Sequence, residues 1–318
     1  MSEKIDIEKE QIFIINELTE NGVPQEQAEI VADCFSTADS YGVTTHGGAI
    51  LPSHIQRIQR GGYNLSPNFK VIRETAAFAV IDGDNAIGPV SATFCMRYAI
   101  EKCRDSGVFT VFSRNNNTFG PAFYYPLLAA REGLIGIACS NSPAQMAPIG
   151  GKEKMLGTNP FSIVVPTYGD PIILDMATSV VAKSKFKEYK LARKELPEGW
   201  ALDSEGNPTV DPDKAMQGFV LPMAGFKGYG IALMIDILSG LLSGAAYLNK
   251  VGRFYMENGS CMNVGFQFIV LDPKQILGEG YDEIIKDFVL QLRNSKSADG
   301  CSIILPGDDR LKYKRENQ

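Results

Sequence analysis

Both histidines of this 318-residue chain, His46 and His54, fall within one short stretch, "YGVTTHGGAILPSHIQRIQRGG", from Tyr41 to Gly62. Histidine suits proton transfer because its ordinary pKa, about 6.5, lies near working pH; a positioned general acid contributes ~10²–10⁴-fold in rate. Each histidine is flanked by residues that make turns or start helices, and Thr45 places a hydroxyl beside His46. The residues alone equally allow His46 to be a cap or a packed turn residue.

Loops that could hold a ligand lie further along. "SNSPAQMAPIGG" (140–151), "LGTNP" (156–160) and "DMATS" (175–179) each follow or precede a strand-like run. Their small hydroxyl and amide residues beside Gly and Pro expose backbone N–H groups that can hold a phosphate or ribose. Each is also readable as a plain turn or helix cap. Three such loops near one end of a sheet point to a shared cleft, since ligands collect where strand ends meet loops. The G-x-G-x-x-G and Walker patterns are absent, and the glycines of "DGDNAIGPVSA" are spaced differently.

The elements that must position these residues follow from periodicity. The first sixty residues are helical, in three segments: two ending at Asn21-Gly22 and Gly42, and a third running from the His46 region to Arg60. Strands then alternate with helices: "FKVIRE", "AAFAVIDG", "VFTVFS", "LIGIACS", "FSIVVPT", "PIILDMA" and "VGFQFIVLD" read as strands, which indicates α/β organisation. Residues 208–218 read as a surface loop, "FKGYGIALMIDILSGLLSG" as a long buried helix, "CSIILPG" as a closing strand, and "DDRLKYKRENQ" as a solvated end.

Composition bounds the partners. A net charge of -6 and a pI near 5.2 argue against nucleic acid or an anionic membrane as partner. The six cysteines are scattered without CxxC pairs or histidines at ligand spacing, which argues against a zinc site or disulfide framework. The charged start lacks a signal-peptide core, so a cytoplasmic protein with reduced thiols and no metal is expected.

The order "THGG", "NNNTFGPAFYYPLLAAREGLIGIACSNSPAQMAPIGGKEKMLGTNP", "LDMATSVVAKSK", "LPEGWALDSEGNPTVDP", "GFKGYGIALMIDILSGLLSGA" and "ILPGDD" resembles the type-2 malate/L-lactate dehydrogenase family. That family includes ureidoglycolate and sulfolactate dehydrogenases and diketogulonate reductase. The resemblance implies a non-Rossmann, mixed-sheet α/β nicotinamide-binding fold, which accounts for the missing glycine fingerprint. A helical domain of residues 1–75 plus about 275–318 would serve dimerisation, and residues 76–274 would bind the cofactor.

The implied activity is hydride transfer between NAD, or NADP, and a small 2-hydroxy/2-oxo acid of malate/lactate type, by a homodimer. His46 and Thr45 match the catalytic Ser-His-Gly motif. The cofactor residues carried over are Ser142, Thr158, Asn159, Pro160, Asp175, Met176, Ala177, Thr178, Ser179, Phe226, Lys227, Gly307, Asp308 and Asp309. Three positions around the substrate depart from the family. Ile50 stands where an arginine pairs with the substrate carboxylate, His54 where a tyrosine is common, and Thr118 where many relatives carry a second histidine. The alternative that these departures raise is a catalytically weakened homologue acting as a binding or structural dimer.

Overall fold

The computed structural model describes residues 6–255 and 260–317. Helix α1 (Ile7–Glu20) starts where the Asp6 carboxylate accepts the Lys9 amide at 3.2 Å, and it buries Ile14 and Leu18 one turn apart. Helix α2 (Gln25–Ser40) follows Pro24 and buries Val31, Cys34, Phe35 and Ala38. The third helical segment is shorter than expected. Thr44–His46 and Gly48–Ile50 form two 3-10 turns about an extended Gly47, and α3 (Leu51–Gln59) starts only where Pro52 supplies a first-turn residue without a needed N–H.

The sheet strands are β1 (Lys70–Glu74), β2 (Phe78–Asp82), β3 (Val108–Asn116), β4 (Ile135–Ser140), β5 (Phe161–Val165), β6 (Ile172–Met176) and β10 (Val264–Leu271). They form one seven-stranded sheet in the order β1-β2-β3-β10-β4-β5-β6, parallel only between β2 and β3. Helices α4 (Gly88–Ser106) and α5 (Tyr124–Arg131) supply the connections that pack on it. Strand β10 runs through the middle because nearly all of its residues are buried; its Phe266 and Phe268 pack against Phe119. One apolar cluster joins Ile14, Leu18 and Phe35 of the amino-terminal helices to Ile81, Phe266 and Phe268 of the sheet, so the core is continuous across residue 75.

A smaller lobe has its own cluster around Met146, Leu156, Phe186 and Val220. It carries α6 (Ser184–Leu191) and the three-stranded sheet β8-β7-β9, made from β7 (Ala201–Leu202), β8 (Pro208–Thr209) and β9 (Phe219–Val220). Residues 208–218 are therefore not a bare loop: α7 (Pro212–Gln217) is held by Asp211, whose side chain accepts the Asp213 amide at 2.8 Å. The expected long helix keeps α geometry only through α8 (Phe226–Ile235). Asp236–Leu241 then widens into a π turn, where the Ser239 and Ser243 hydroxyls donate back to main-chain carbonyls at 2.7 and 2.6 Å.

After α9 (Pro273–Leu277) and α10 (Tyr281–Arg293), "CSIILPG" runs without forming a strand. The Ile173 amide takes only the Pro306 carbonyl, at 2.9 Å. The tail is not a solvated end but α11 (Asp308–Asn317). It buries Leu311 and packs on α2, with Tyr313 against Gly42. Among the described residues no helix is long and apolar enough to cross a membrane, and no cluster of metal-ligating side chains is present.

Candidate active site

Antiparallel pairing decides where the loops meet. Cys139 lies opposite Phe161, and Phe161 opposite Met176, so the end of β4, the start of β5 and the end of β6 share one edge. Ser140 opposite Phe266 and Asn116 opposite Val264 bring the start of β10 and the end of β3 to the same edge. A cleft of about 460 Å³ opens there, within the ordinary range for a small-molecule site. Its wall includes Thr45, His46, Thr118, Ser142, Thr158, Pro160, Asp175, Met176 and Ala177, together with Asn141, Gln145, Lys183 and Arg310.

The loops are fixed by amide clamps. Asn159, fully buried, accepts the Ser142 amide at 3.0 Å and donates to the Ala232 carbonyl at 2.8 Å, which locks two cleft loops to α8. Asn141 does the same on the other side, accepting from Gly265 at 2.9 Å and donating to Ala246 at 2.7 Å. Gly157 is required at the crossing, because a Cβ there would overlap the Ser142 carbonyl and the Asn159 side chain. Thr178 donates its amide to the Thr158 carbonyl at 3.0 Å, and its buried hydroxyl lacks a protein partner. The hydroxyls of Ser142 and Thr158 beside an apolar wall that includes Phe119, Met176 and Val264 fit a ligand with sugar oxygens and a flat ring.

His46 sits at the end of its 3-10 turn, with Nδ1 3.1 Å from the Thr45 hydroxyl. Nε2 makes no bond among the described residues. Although the ring borders the open cleft, desolvation first and the charge of Arg310 second hold its pKa below 6.5. The turn is anchored from behind: the Gly48 amide donates to Asp39 at 2.5 Å, and a Cβ on Gly47 would overlap that carboxylate. Glu10 shares a hydrogen bond with Asp39. Burial, that bond and the neighbouring charge push the Glu10 carboxyl up to about 8, so at neutral pH it keeps its proton and donates.

Two cations line the cleft in different circumstances. Arg310 Nη1 lies 2.7 Å from Asp175 Oδ2, with the guanidinium over the Phe123 ring. Desolvation raises the Asp175 pKa, and Arg310 pulls it back only in part. Lys183 donates to the neutral Gln145 side chain at 2.9 Å. Desolvation, then Lys154 and Arg253, push its pKa down to about 8.

Other residues expected at the site lie elsewhere. His54 does not border the cleft. Its ring is packed among Phe35, Tyr63 and Phe254, with Nδ1 2.8 Å from the Tyr63 hydroxyl and Nε2 buried without a partner, which drives its pKa down to about 3. The helix that holds it points that face into the core, and Ile50 likewise packs against the core. Nor do two nearby arginines bring charge to the cleft: Arg57 donates to Asn117 at 2.8 Å and the Phe254 carbonyl at 3.0 Å, and Arg114 pairs with Asp82 at 3.3 Å.

Asn159, Thr178 and Ser179 stand behind the wall as supports. Phe226 and Lys227 are exposed at the start of α8, outside the cleft wall. Gly307 packs on Ile173, Asp308 pairs with Arg293 at 2.6 Å, and Asp309 is exposed. Sequence reasoning missed Arg310 and Lys183. Arg310 directly follows "GDD", and Lys183 follows "DMATSVVA"; the only available signal for either was this adjacency to a ligand loop.

The family model described as malate/L-lactate dehydrogenase matches residues 5–318. A malate dehydrogenase of Pyrococcus horikoshii is 43% identical over 293 residues, which span 89% of this chain and 81% of that protein. The solved sulfolactate dehydrogenase of Methanocaldococcus jannaschii superposes with a TM-score of 0.92 at 39% identity, covering 98% of this chain and 91% of that one. A ureidoglycolate dehydrogenase (NAD(+)) of Escherichia coli O157:H7 is 36% identical over 307 residues, 96% of this chain and 87% of that protein. Homologues use NAD(+) or NADP(+).

Proposed function

The chain belongs to the malate/L-lactate dehydrogenase family and is an NAD(P)-dependent dehydrogenase of 2-hydroxy acids; from that premise we propose that His46 is its proton donor and that NAD is its cofactor. The observation that carries the assignment is His46 itself, set in the cleft with a free Nε2, its other ring nitrogen against Thr45 and its turn anchored on Asp39. When bound, NAD or NADP would supply the hydride for reducing a 2-oxo acid or accept it in oxidising the 2-hydroxy acid. His46 gives its proton to the carbonyl oxygen in reduction and takes it from the hydroxyl in oxidation. Its lowered pKa eases release of the proton and makes the neutral base more available for oxidation. Thr45 orients the ring, Thr158 and Ser142 present polar groups to the cofactor, and Met176 and Val264 give it apolar surface.

The substrate proposed is a small malate- or sulfolactate-like acid, on the support of the relatives' activities. A homodimer is proposed because Phe226, Met234, Leu241 and Leu242 are 74%, 51%, 52% and 52% exposed along α8 and the π turn, more apolar surface than a lone chain usually leaves in water. Free cysteines throughout the described residues support a cytoplasmic location.

The test is to titrate NADH and NADPH by nicotinamide fluorescence and then assay oxaloacetate, sulfopyruvate and pyruvate. His46→Ala should lower kcat at least about tenfold while leaving cofactor affinity in place. An unchanged kcat removes His46 from the chemistry, and cofactor binding without turnover on any acid would fit the weakened homologue instead.

A further inference from the structure

The charges of the cleft do not balance locally. Among the described residues Asp175 is the one carboxylate in the wall, and Arg310 occupies it at 2.7 Å. Lys183, the other fixed cation of the wall, bonds among those residues the Gln145 carbonyl oxygen, a neutral group. Its surroundings add positive charge. The Met146–Leu156 bridge lays the Lys154 segment alongside that of Gln145, and Lys154 itself donates to the Gln217 carbonyl at 2.8 Å and sits over the Phe219 ring, both uncharged partners. Both Lys154 and Arg253 lie near enough to Lys183 to repel its charge. None of these three cations has an acidic partner among the described residues. Holding like charges together beside a cleft is unfavourable unless an anion answers them.

The position narrows which anion. Lys183 belongs to the wall built on the smaller lobe, between Val181 and Phe186 of its cluster, whereas His46 belongs to the wall built on the amino-terminal helices. The proton donor and this cation are therefore carried into the one cleft by different parts of the fold. Three cations without an acidic partner among the described residues suit a group that carries several anionic oxygens better than a single carboxylate.

We propose that Lys183, reinforced by Lys154 and Arg253, holds a phosphate group of the nicotinamide dinucleotide. This rests on the dehydrogenase reading above. Two phosphates of such cofactors share this chemistry, the pyrophosphate present in both and the 2′-phosphate of NADP alone.

The experiment measures NADH and NADPH dissociation constants by fluorescence for wild type, Lys183→Met, Lys183→Arg and Arg253→Gln, with KM for oxaloacetate alongside. Losing one charged hydrogen bond should weaken cofactor binding roughly 10- to 100-fold in Lys183→Met, with Lys183→Arg recovering most of it. Arg253→Gln, at an exposed position outside the packed core, should weaken binding about 2- to 5-fold even if the Lys183 variants fold poorly. Equal loss for the two cofactors identifies the pyrophosphate, and loss for NADPH alone identifies the 2′-phosphate. Unchanged affinity for both cofactors in folded Lys183→Met overturns the inference, as does a rise confined to the KM for oxaloacetate. Wild type that binds neither cofactor would instead sink the dehydrogenase reading, so the two failures are separable.

Discussion

Replacing Arg310 by methionine tests the electrostatics of the cleft most directly. The guanidinium and the Asp175 carboxylate are 21% and 12% exposed, so water screens the pair little, and Arg310 Nη2 also reaches the Asp175 carbonyl at 3.3 Å. Methionine keeps an apolar stem against Phe123, which separates loss of charge from loss of packing. Leaving one member of a buried pair uncompensated costs about 3–5 kcal/mol, and the partial exposure of the arginine puts this site near 3 kcal/mol. At roughly 2 °C per kcal/mol for a chain of this size, Tm should fall by about 6 °C.

The sign of the pH dependence follows. Asp175 already has a raised pKa from desolvation, and losing Arg310 raises it further. A carboxyl whose folded pKa exceeds its unfolded value is most stable when protonated, so the deficit of the variant should be largest above neutrality and shrink towards about pH 5. Urea denaturation followed by Trp200 fluorescence at about pH 8 and about pH 5 measures this, and a cycle with Asp175→Asn should give a coupling above about 1 kcal/mol. Equal losses at both pH values, or a coupling under about 0.5 kcal/mol, would refute the pair as described. The same variant carries a kinetic signature. Arg310 helps to depress the His46 pKa, so without it the falling limb of oxo-acid reduction should move to higher pH.

Three further outcomes are expected. His54→Phe keeps an aromatic ring among Phe35, Tyr63 and Phe254; kcat and KM should stay within about twofold, while stability lost as pH falls from 6.5 towards about 3, where the unfolded state alone takes up the proton, should be regained in acid denaturation curves. Glu10→Gln retains a donor to Asp39 without a titrating proton, so the loss of stability that wild type shows as pH rises from 4.5 through about 8 should flatten in thermal melts across that window. Gly157→Ala drives a Cβ into the Ser142 carbonyl and the Asn159 clamp, and should weaken NADH binding at least about tenfold by fluorescence titration, more than it lowers Tm.

Local pattern made the strands and most helices legible, because apolar periodicity and glycine stops are properties of neighbouring residues. The convergence of "SNSPAQ", "LGTNP" and "DMATS" at one sheet edge was legible for the same reason once the strands were placed. What lay beyond reach depended on which face an element turns inward. His54 stands where a substrate-side tyrosine was expected, yet α3 turns that side chain into the core, and Ile50 just before the helix packs there too. "CSIILPG" has strand composition, but β6 is the sheet's edge and only one of its amides is taken. Arg310 lay in a tail of mixed charge, where nothing marks one arginine among several. Its role comes from α11 docking on α2 and bringing that side chain to Asp175.

The same reasoning limits what net charge can exclude. A net charge of -6 argues against nucleic acid or an anionic membrane as partner, but it does not decide whether one small anion enters a cleft. Charge acts over about a Debye length of 8 Å at physiological salt, so the cleft responds to its own wall rather than to the total. Within that wall Asp175 and Arg310 cancel, while Lys183, with Lys154 and Arg253 behind it, leaves a local excess of positive charge. Position 50 packs against the core and not on the cleft wall, so the charge there does not decide what the cleft attracts. The field that draws an anion in comes instead from Lys183 and the cations near it on the smaller lobe.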